Sequence, residues 1–80
     1  MTTIDQVRSL LASLLECGID LIEPEKSLDD LGMDSLDRAE FQTILQYEMG
    51  IEASDDDVAR WVSVQDVVNY VRSEKGEATT

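Results

Sequence analysis

The residue best placed for chemistry in this chain is Ser35, within the run Asp34-Ser35-Leu36. Residues 28–33 before it read as a loop that closes on Gly32, and the apolar residues after it recur at helical spacing. A serine in the first turn of a helix is exposed, and the backbone N–H groups around it favour a negative group. The position therefore suits the attachment of a phosphate. It suits a nucleophile poorly, because a nucleophile needs a base beside it.

The sequence offers Ser35 no such base. The chain contains no histidine, and a Gly-x-Ser-x-Gly motif is absent. A serine–lysine pair would have to use Lys26 from the loop or Lys75 from the C-terminal tail. We therefore predict that the chain is not an enzyme and has no catalytic residues.

The acidic run before Ser35 does not fit a calcium loop. An EF-hand register starting at Asp29 places Leu31 and Met33 at ligand positions. A register starting at Asp30 places Phe41 at the twelfth position, where a bidentate glutamate belongs. We predict no dedicated metal site.

A first helix and a long loop must precede Ser35. Thr3-Ile4-Asp5-Gln6 predicts a capping box at Thr3, and a helical stripe follows and ends before Gly18, which we expect to be the stop signal. The stripe consists of Ile4, Val7, Leu10, Leu11, Leu14 and Leu15. The period is lost over residues 19–33, which we predict to be a loop without regular structure. We expect spaced apolar residues to pin this loop over the helices: Ile19, Leu21, Ile22, Leu28 and Leu31.

Three further helices complete the prediction of an all-α fold. The second runs from about Ser35 to Met49, is capped by Asp34 and ends at Gly50. A short third helix begins in the acidic run 54–57 and ends near Trp61, and Ser63 caps a fourth. On the fourth helix one face is formed by Val64, Val67, Val68 and Val71. The predicted fold is a small four-helix bundle, with three longer helices, one short helix and a long loop between helices one and two.

Residues 30–37, with the sequence DLGMDSLD, resemble the prosthetic-group attachment motif of the acyl carrier proteins. The resemblance extends over most of the chain and includes the helix order, Glu40-Phe41, the acidic run 55–57 and residues 64–66. It implies that Ser35 carries 4′-phosphopantetheine through a phosphodiester, and that the thiol of this arm holds acyl groups as thioesters. A separate phosphopantetheinyl transferase would activate the serine hydroxyl. The pathway implied is fatty-acid synthesis or a specialised acyl or polyketide pathway.

The start of the second helix is the predicted surface for partner recognition. Asp34, Asp37 and Glu40 lie on or beside one face, where they also complement the helix dipole. The resemblance implies that these acids, with Leu36 and Arg38, meet basic docking patches on acyl-transferring or acyl-modifying enzymes. The remainder of the helix is less acidic than is usual in the family, with Gln42, Thr43, Gln46 and Tyr47. This departure favours partners in a specialised acyl or aminoacyl pathway.

The resemblance also implies a slot for the acyl chain between the helices. The candidates for its lining are Phe41, Leu45, Trp61 and Val68. Trp61 stands where the family typically has a medium aliphatic side chain. Two interpretations of Trp61 remain open: it lines the slot and shortens it, or it is a core tryptophan away from the slot.

The net charge of −12, from 18 acidic and 6 basic residues, limits the partners. Such a chain is repelled by nucleic-acid phosphates and by anionic membrane surfaces, so neither is an expected partner. Two alternative functions remain at this stage: an acidic helical adaptor without a prosthetic group, and an aminoacyl or peptidyl carrier. The charge and the aspartate before Ser35 favour the acyl type.

Residues 1–80 are predicted to form one domain, with residues 74–80 as a frayed tail. Cys17 is the only cysteine, so the chain cannot form an intramolecular disulfide, and we interpret it as a structural thiol. The chain shows neither a signal peptide nor an apolar run long enough to span a bilayer. We expect a cytoplasmic monomer.

Overall fold

The computed structural model describes residues 2–77, in which four α-helices follow one another. They are α1 (Thr3–Leu15), α2 (Ser35–Met49), α3 (Asp55–Arg60) and α4 (Val64–Glu74), with a short 3₁₀ turn at Ile19–Leu21. Residues 2–77 contain no β-strand, only an isolated bridge between Ser27 and Ser63. The prediction of an all-α bundle with three longer helices, one short helix and a long first connection is confirmed.

The core is built from the apolar stripes of α1, α2 and α4. α1 packs against both α4 and α2, and the fully buried side chains include Val7, Leu11, Phe41 and Leu45. All four valines of the predicted α4 face are fully buried as well. Because β-branched residues lower helix propensity, burial of this face is what stabilises α4. Four residues of the predicted α1 stripe are only half-buried at the edge of the core: Ile4, Leu10, Leu14 and Leu15.

α1 starts at Thr3 and ends before Gly18 as predicted, but the residues predicted to cap and to stop it were wrong. The N-cap is Thr2, whose hydroxyl accepts a hydrogen bond from the Asp5 backbone N–H at 3.3 Å. Thr3 lies one turn before Val7 and is buried with the core stripe, so it cannot serve as the cap. At the other end, Glu16 adopts the left-handed conformation with φ 55°, whereas Gly18 has φ −72°. The helix therefore ends at Leu15 without help from the glycine.

The connection between α1 and α2 has more structure than predicted. Besides the 3₁₀ turn, residues 24–28 pair with residues 62–65 through three backbone hydrogen bonds of 2.8–3.0 Å. Ile22 and Leu28 are fully buried and anchor the connection, as expected. Ile19 and Leu21 are 41% and 54% exposed, so the expectation that they pin the loop was wrong. Main-chain pairing with the α3–α4 corner holds this part of the loop instead.

The predicted tail begins inside α4, since Glu74 is the last residue of that helix. Lys75 Nζ donates to the Thr3 hydroxyl oxygen at 3.2 Å, and the Thr3 hydroxyl donates to Glu77 Oε2 at 2.6 Å. The last part of the predicted frayed segment, residues 78–80, lies outside the described residues. The assignment of residues 1–80 to one domain stays a prediction. Within residues 2–77, no helix combines the length and the apolar character needed to cross a bilayer.

Candidate functional site

A series of turns leads the chain to Ser35. The Ser27 hydroxyl accepts a hydrogen bond from the Asp30 backbone N–H at 2.9 Å, and Gly32 takes a positive φ of 82°. Since residues that carry a side chain rarely adopt this backbone conformation, glycine suits the position. Met33 then turns into the core, where it is 5% exposed, and its N–H bonds to the Leu28 carbonyl at 3.0 Å. This buried anchor determines where α2 begins.

Asp34 caps α2 and leaves Ser35 free of that role. The Asp34 carboxylate accepts the Asp37 N–H at 2.9 Å, and the Asp37 carboxylate accepts the Asp34 N–H at 3.3 Å. This reciprocal capping box confirms Asp34 as the predicted cap. Ser35 is the first residue of the helix and is exposed. Within residues 2–77, no hydrogen bond engages its hydroxyl group, which is therefore available for modification.

Four of the five predicted recognition residues surround Ser35 at the surface. Leu36 is 67% exposed, Asp34 and Glu40 are exposed, and Asp37 is half-buried. Asp34 caps α2, and the other three lie in its first two turns, as Ser35 does.

The fifth residue, Arg38, turns away from this surface. Its Nη1 donates to the Trp61 backbone carbonyl at 2.7 Å, and its Nη2 lies 3.6 Å from the Asp29 carboxylate. The Arg38 side chain is only 20% exposed. Sequence reasoning missed this role because the acceptor is a main-chain atom 23 positions further along the chain.

The four candidates for the acyl slot lie in the packed core. Phe41, Leu45 and Val68 are fully buried and Trp61 is 4% exposed. The Trp61 ring meets Phe41 edge-on, with ring centroids 6.2 Å apart. A slot at these residues requires the helices to move apart, and the slot stays a prediction. A separate surface cleft of about 340 Å³ lies beside the 3₁₀ turn, and none of the four candidates lines it.

Tyr70 is a residue whose role the sequence did not reveal. Its ring meets Trp61 edge-on with centroids 5.5 Å apart, and its hydroxyl donates to Asp57 Oδ2 at 3.2 Å. Burial, and secondarily the hydrogen bond to Asp57, raises the pKa of Tyr70 to about 12. Its position three residues after Val67, beside the valine face, is the signal from which this packing could have been inferred.

Two capping carboxylates are held ionised by backbone N–H groups. The pKa of Asp57 is lowered mainly by the Ser54 N–H, and the pKa of Asp66 mainly by the N–H groups of Ser63 and Val62. Both carboxylates complete capping boxes, at the starts of α3 and α4. Among residues 2–77, no group of three or more cysteine or acidic side chains is arranged to hold a metal ion.

Comparison with known proteins agrees with this geometry. The family model described as "Phosphopantetheine attachment site" matches residues 5–71. An acyl carrier protein of Solidesulfovibrio magneticus is 33% identical over 78 residues, which cover 96% of this chain and 100% of the relative. One of Campylobacter jejuni subsp. doylei is 36% identical over 72 residues, covering 89% and 94% of the two chains. One of Nitratidesulfovibrio vulgaris is 32% identical over 76 residues, covering 94% and 100%.

Proposed function

Because the chain belongs to the phosphopantetheine-binding acyl carrier proteins, we propose that it carries acyl groups as thioesters on a 4′-phosphopantetheine arm attached to Ser35. Members of this family are carriers without catalytic activity, in agreement with the prediction that the chain is not an enzyme. When attached, the arm supplies the thiol on which an acyl group is held. The family match also argues against an adaptor that lacks a prosthetic group.

The single observation that carries the assignment of Ser35 is that Asp34, and not Ser35, caps α2. Asp34 caps α2, so the exposed Ser35 hydroxyl is not needed for the stability of the helix. A phosphate on Ser35 would lie at the positive end of the α2 dipole, which partly offsets repulsion by Asp34 and Asp37. Because the attachment is covalent, the site need not bind the anion by affinity alone.

The attachment step requires a base from another protein. The Ser35 oxygen would form a bond to the phosphorus of the phosphopantetheine portion of coenzyme A, and the adenosine bisphosphate portion would leave. The hydroxyl proton would pass to a base on the transferase, since the chain has no histidine. The role of Ser35 is thus to present an unhindered hydroxyl.

The partners that we propose are a phosphopantetheinyl transferase and acyl-handling enzymes with basic docking patches. Asp34, Asp37 and Glu40 place negative charge beside Ser35, and exposed Leu36 supplies an apolar contact at the same place. Further along α2, three of the four exposed side chains are uncharged (Thr43, Gln46 and Tyr47), and the fourth is Glu48. This favours a specialised acyl or aminoacyl pathway over general fatty-acid synthesis. A monomeric, cytoplasmic carrier remains our expectation.

Intact mass after treatment with coenzyme A and a broad-specificity transferase tests the proposal. The wild type should gain the mass of one phosphopantetheine, and Ser35→Ala should gain none while its helical circular dichroism is retained. Ser13→Ala, which removes an exposed serine of α1, should still be loaded. Modification at Ser9, Ser13, Ser27 or Ser54 in the wild type would overturn the assignment of Ser35.

A further inference from the structure

The short helix α3 depends on α2 for its position. It has six residues, and α2 is the helix against whose backbone it packs among the described elements. Isolated helices of this length are unstable in water, because nucleation is costly and few hydrogen bonds follow it. Contacts with neighbouring elements, those with α2 and with Tyr70 of α4 among them, must therefore decide where α3 lies and how far it can move.

Two side chains of α2 hold the two ends of the α3 segment, which comprises α3 and its flanking residues (53–61). Arg38 Nη1 donates to the carbonyl of Trp61, which follows α3, at 2.7 Å. Gln42 Nε2 donates to the carbonyl of Ala53, which lies two residues before α3, at 2.6 Å. Arg38 and Gln42 are four positions apart and hence share one face of α2. Since both acceptors are main-chain carbonyls, the two bonds hold the backbone of the segment and not only its side chains.

The aromatic contact between α2 and the end of α3 lies beside these two bonds. Phe41 precedes Gln42 on α2, and its ring meets Trp61 across the boundary. Both rings belong to the apolar core that also includes Leu45 and Val68. Moving α3 away from α2 would separate Phe41 from Trp61 and would open a path from the surface into that core.

We propose that Arg38 and Gln42 form a bracket that holds α3 against α2, and that this bracket limits the length of acyl chain that the core admits. The second half rests on the proposed function. Admission of a chain between α2 and α3 would stretch one or both bonds, so a stronger bracket restricts the slot. Arg38 and Gln42 are in this sense positioning residues.

The ion pair of Arg38 contributes little to the bracket. The Nη2–Oδ1 distance to Asp29 is 3.6 Å, and the Asp29 side chain is 88% exposed, so solvent screens the attraction. The hydrogen bond to the Trp61 carbonyl is shorter and partly buried. Asp29→Asn should therefore leave the bracket intact.

Amide hydrogen exchange of the apo chain tests the first half. Arg38→Met and Gln42→Met keep a long side chain but remove the donors. In each variant the Val58 and Trp61 amides, which bond to the carbonyls of Ser54 and Val58, should exchange about tenfold faster relative to amides of α1.

Arg8→Met is the matched control, because Arg8 donates to the carbonyls of Ile22 and Ile19, away from α3. The Arg8→Met substitution should not accelerate amide exchange in α3 relative to α1. Arg38→Lys retains a cationic donor and should restore slow exchange.

Thioester protection tests the second half. Wild type and variants are loaded with straight acyl chains of increasing length, and the cleavage of each thioester by hydroxylamine is timed. Each additional buried CH₂ should slow cleavage about fourfold until the slot is full. In Arg38→Met and Gln42→Met the slowing should continue to chains a few carbons longer than in the wild type. In Arg8→Met and Arg38→Lys the limit should match the wild type.

The outcomes separate the two proposals. Unchanged exchange of α3 in both methionine variants would overturn the bracket. Faster exchange with an unaltered length limit would overturn its role in admission of the chain. If the wild type cannot be loaded at Ser35, the proposed function and the admission role both fail, while exchange still decides whether the bracket holds α3.

Discussion

Tyr70 of α4 contacts both ends of α3 through one side chain. Its ring packs on Trp61 at the end of α3, and its hydroxyl donates to Asp57 in the first turn of that helix. Asp57 in turn accepts the Ser54 N–H in the capping box of α3. A change of protonation at Tyr70 therefore reaches the packing between α3 and α4.

We expect alkaline loss of stability to follow Tyr70. Its folded-state pKa of about 12 lies above the ordinary value of 10.0, so the neutral form stabilises the fold. This contribution is complete below about pH 10 and is lost as the pH rises from about 10 towards 12. Tyr47→Phe leaves Tyr70 as the only tyrosine, so tyrosinate absorbance and helical circular dichroism can be followed together. In Tyr47→Phe/Tyr70→Phe the loss of helix over this range should be smaller. If Tyr70 ionises near its ordinary pKa of 10.0 while the helices stay intact, the expectation is contradicted.

Three successive helices begin with the same capping arrangement. α2, α3 and α4 each start with a capping box, and their caps are Asp34, Ser54 and Ser63. The arrangement matters most for α3, because its six residues form few internal hydrogen bonds. Its stability therefore depends on its cap at one end and on contacts with neighbouring elements.

Ser54→Ala should destabilise the chain by about 1 kcal/mol, as is typical for loss of an N-cap hydroxyl. The loss should be local, with faster exchange of the Val58 and Trp61 amides than of amides in α1. The control is Ser73→Ala, a change at an exposed serine inside α4 that does not serve as a cap. It should be neutral or slightly stabilising, since alanine has the higher helix propensity. Equal effects of the two substitutions on α3 would show that the cap is unimportant.

At the scale of the whole molecule, repulsion among acidic side chains opposes folding. All 18 acidic residues lie within residues 2–77, whose dimensions are 29 × 25 × 21 Å. In this part of the chain the two ion pairs are Arg38–Asp29 and Lys75–Glu77. Since the Debye length is ~10 Å at 0.1 M salt, many like charges act on one another at lower ionic strength.

The melting temperature should therefore rise when sodium chloride is added near neutral pH. Screening worth about 1 kcal/mol corresponds to an increase of about 4–8 °C for a domain of this size. Differential scanning calorimetry at several salt concentrations measures the shift. A melting temperature that is flat or falls with salt would show that repulsion does not limit stability.

A single neutralisation provides a control for the salt experiment. Glu48 is exposed and lies in the last turn of α2, where a negative charge also opposes the helix dipole. Glu48→Gln should raise the melting temperature at low salt and reduce its dependence on salt. A lower melting temperature in this variant would indicate that Glu48 has a favourable contact outweighing the repulsion.

The helices and the position of Ser35 could be predicted because their causes are local. Helical spacing of apolar residues indicated the faces that are buried, and Asp34, Ser63 and Gly50 are signals read within one turn of the residues on which they act. At α1 the predicted cap was one residue too late, because Thr3 is buried and Thr2 caps the helix.

Only the tertiary structure decided the direction of Arg38, the contacts of Gln42 and Tyr70, and the pairing of residues 24–28 with 62–65. The partners are main-chain carbonyls or side chains from distant parts of the chain, and no periodic pattern encodes them. On sequence spacing, Arg38 belongs with Asp34, Asp37 and Glu40 as a surface charge. It turns inward because folding brings the Trp61 carbonyl within reach of its guanidinium group. Spacing along one helix specifies which face a residue occupies, whereas its partner depends on where the rest of the chain packs.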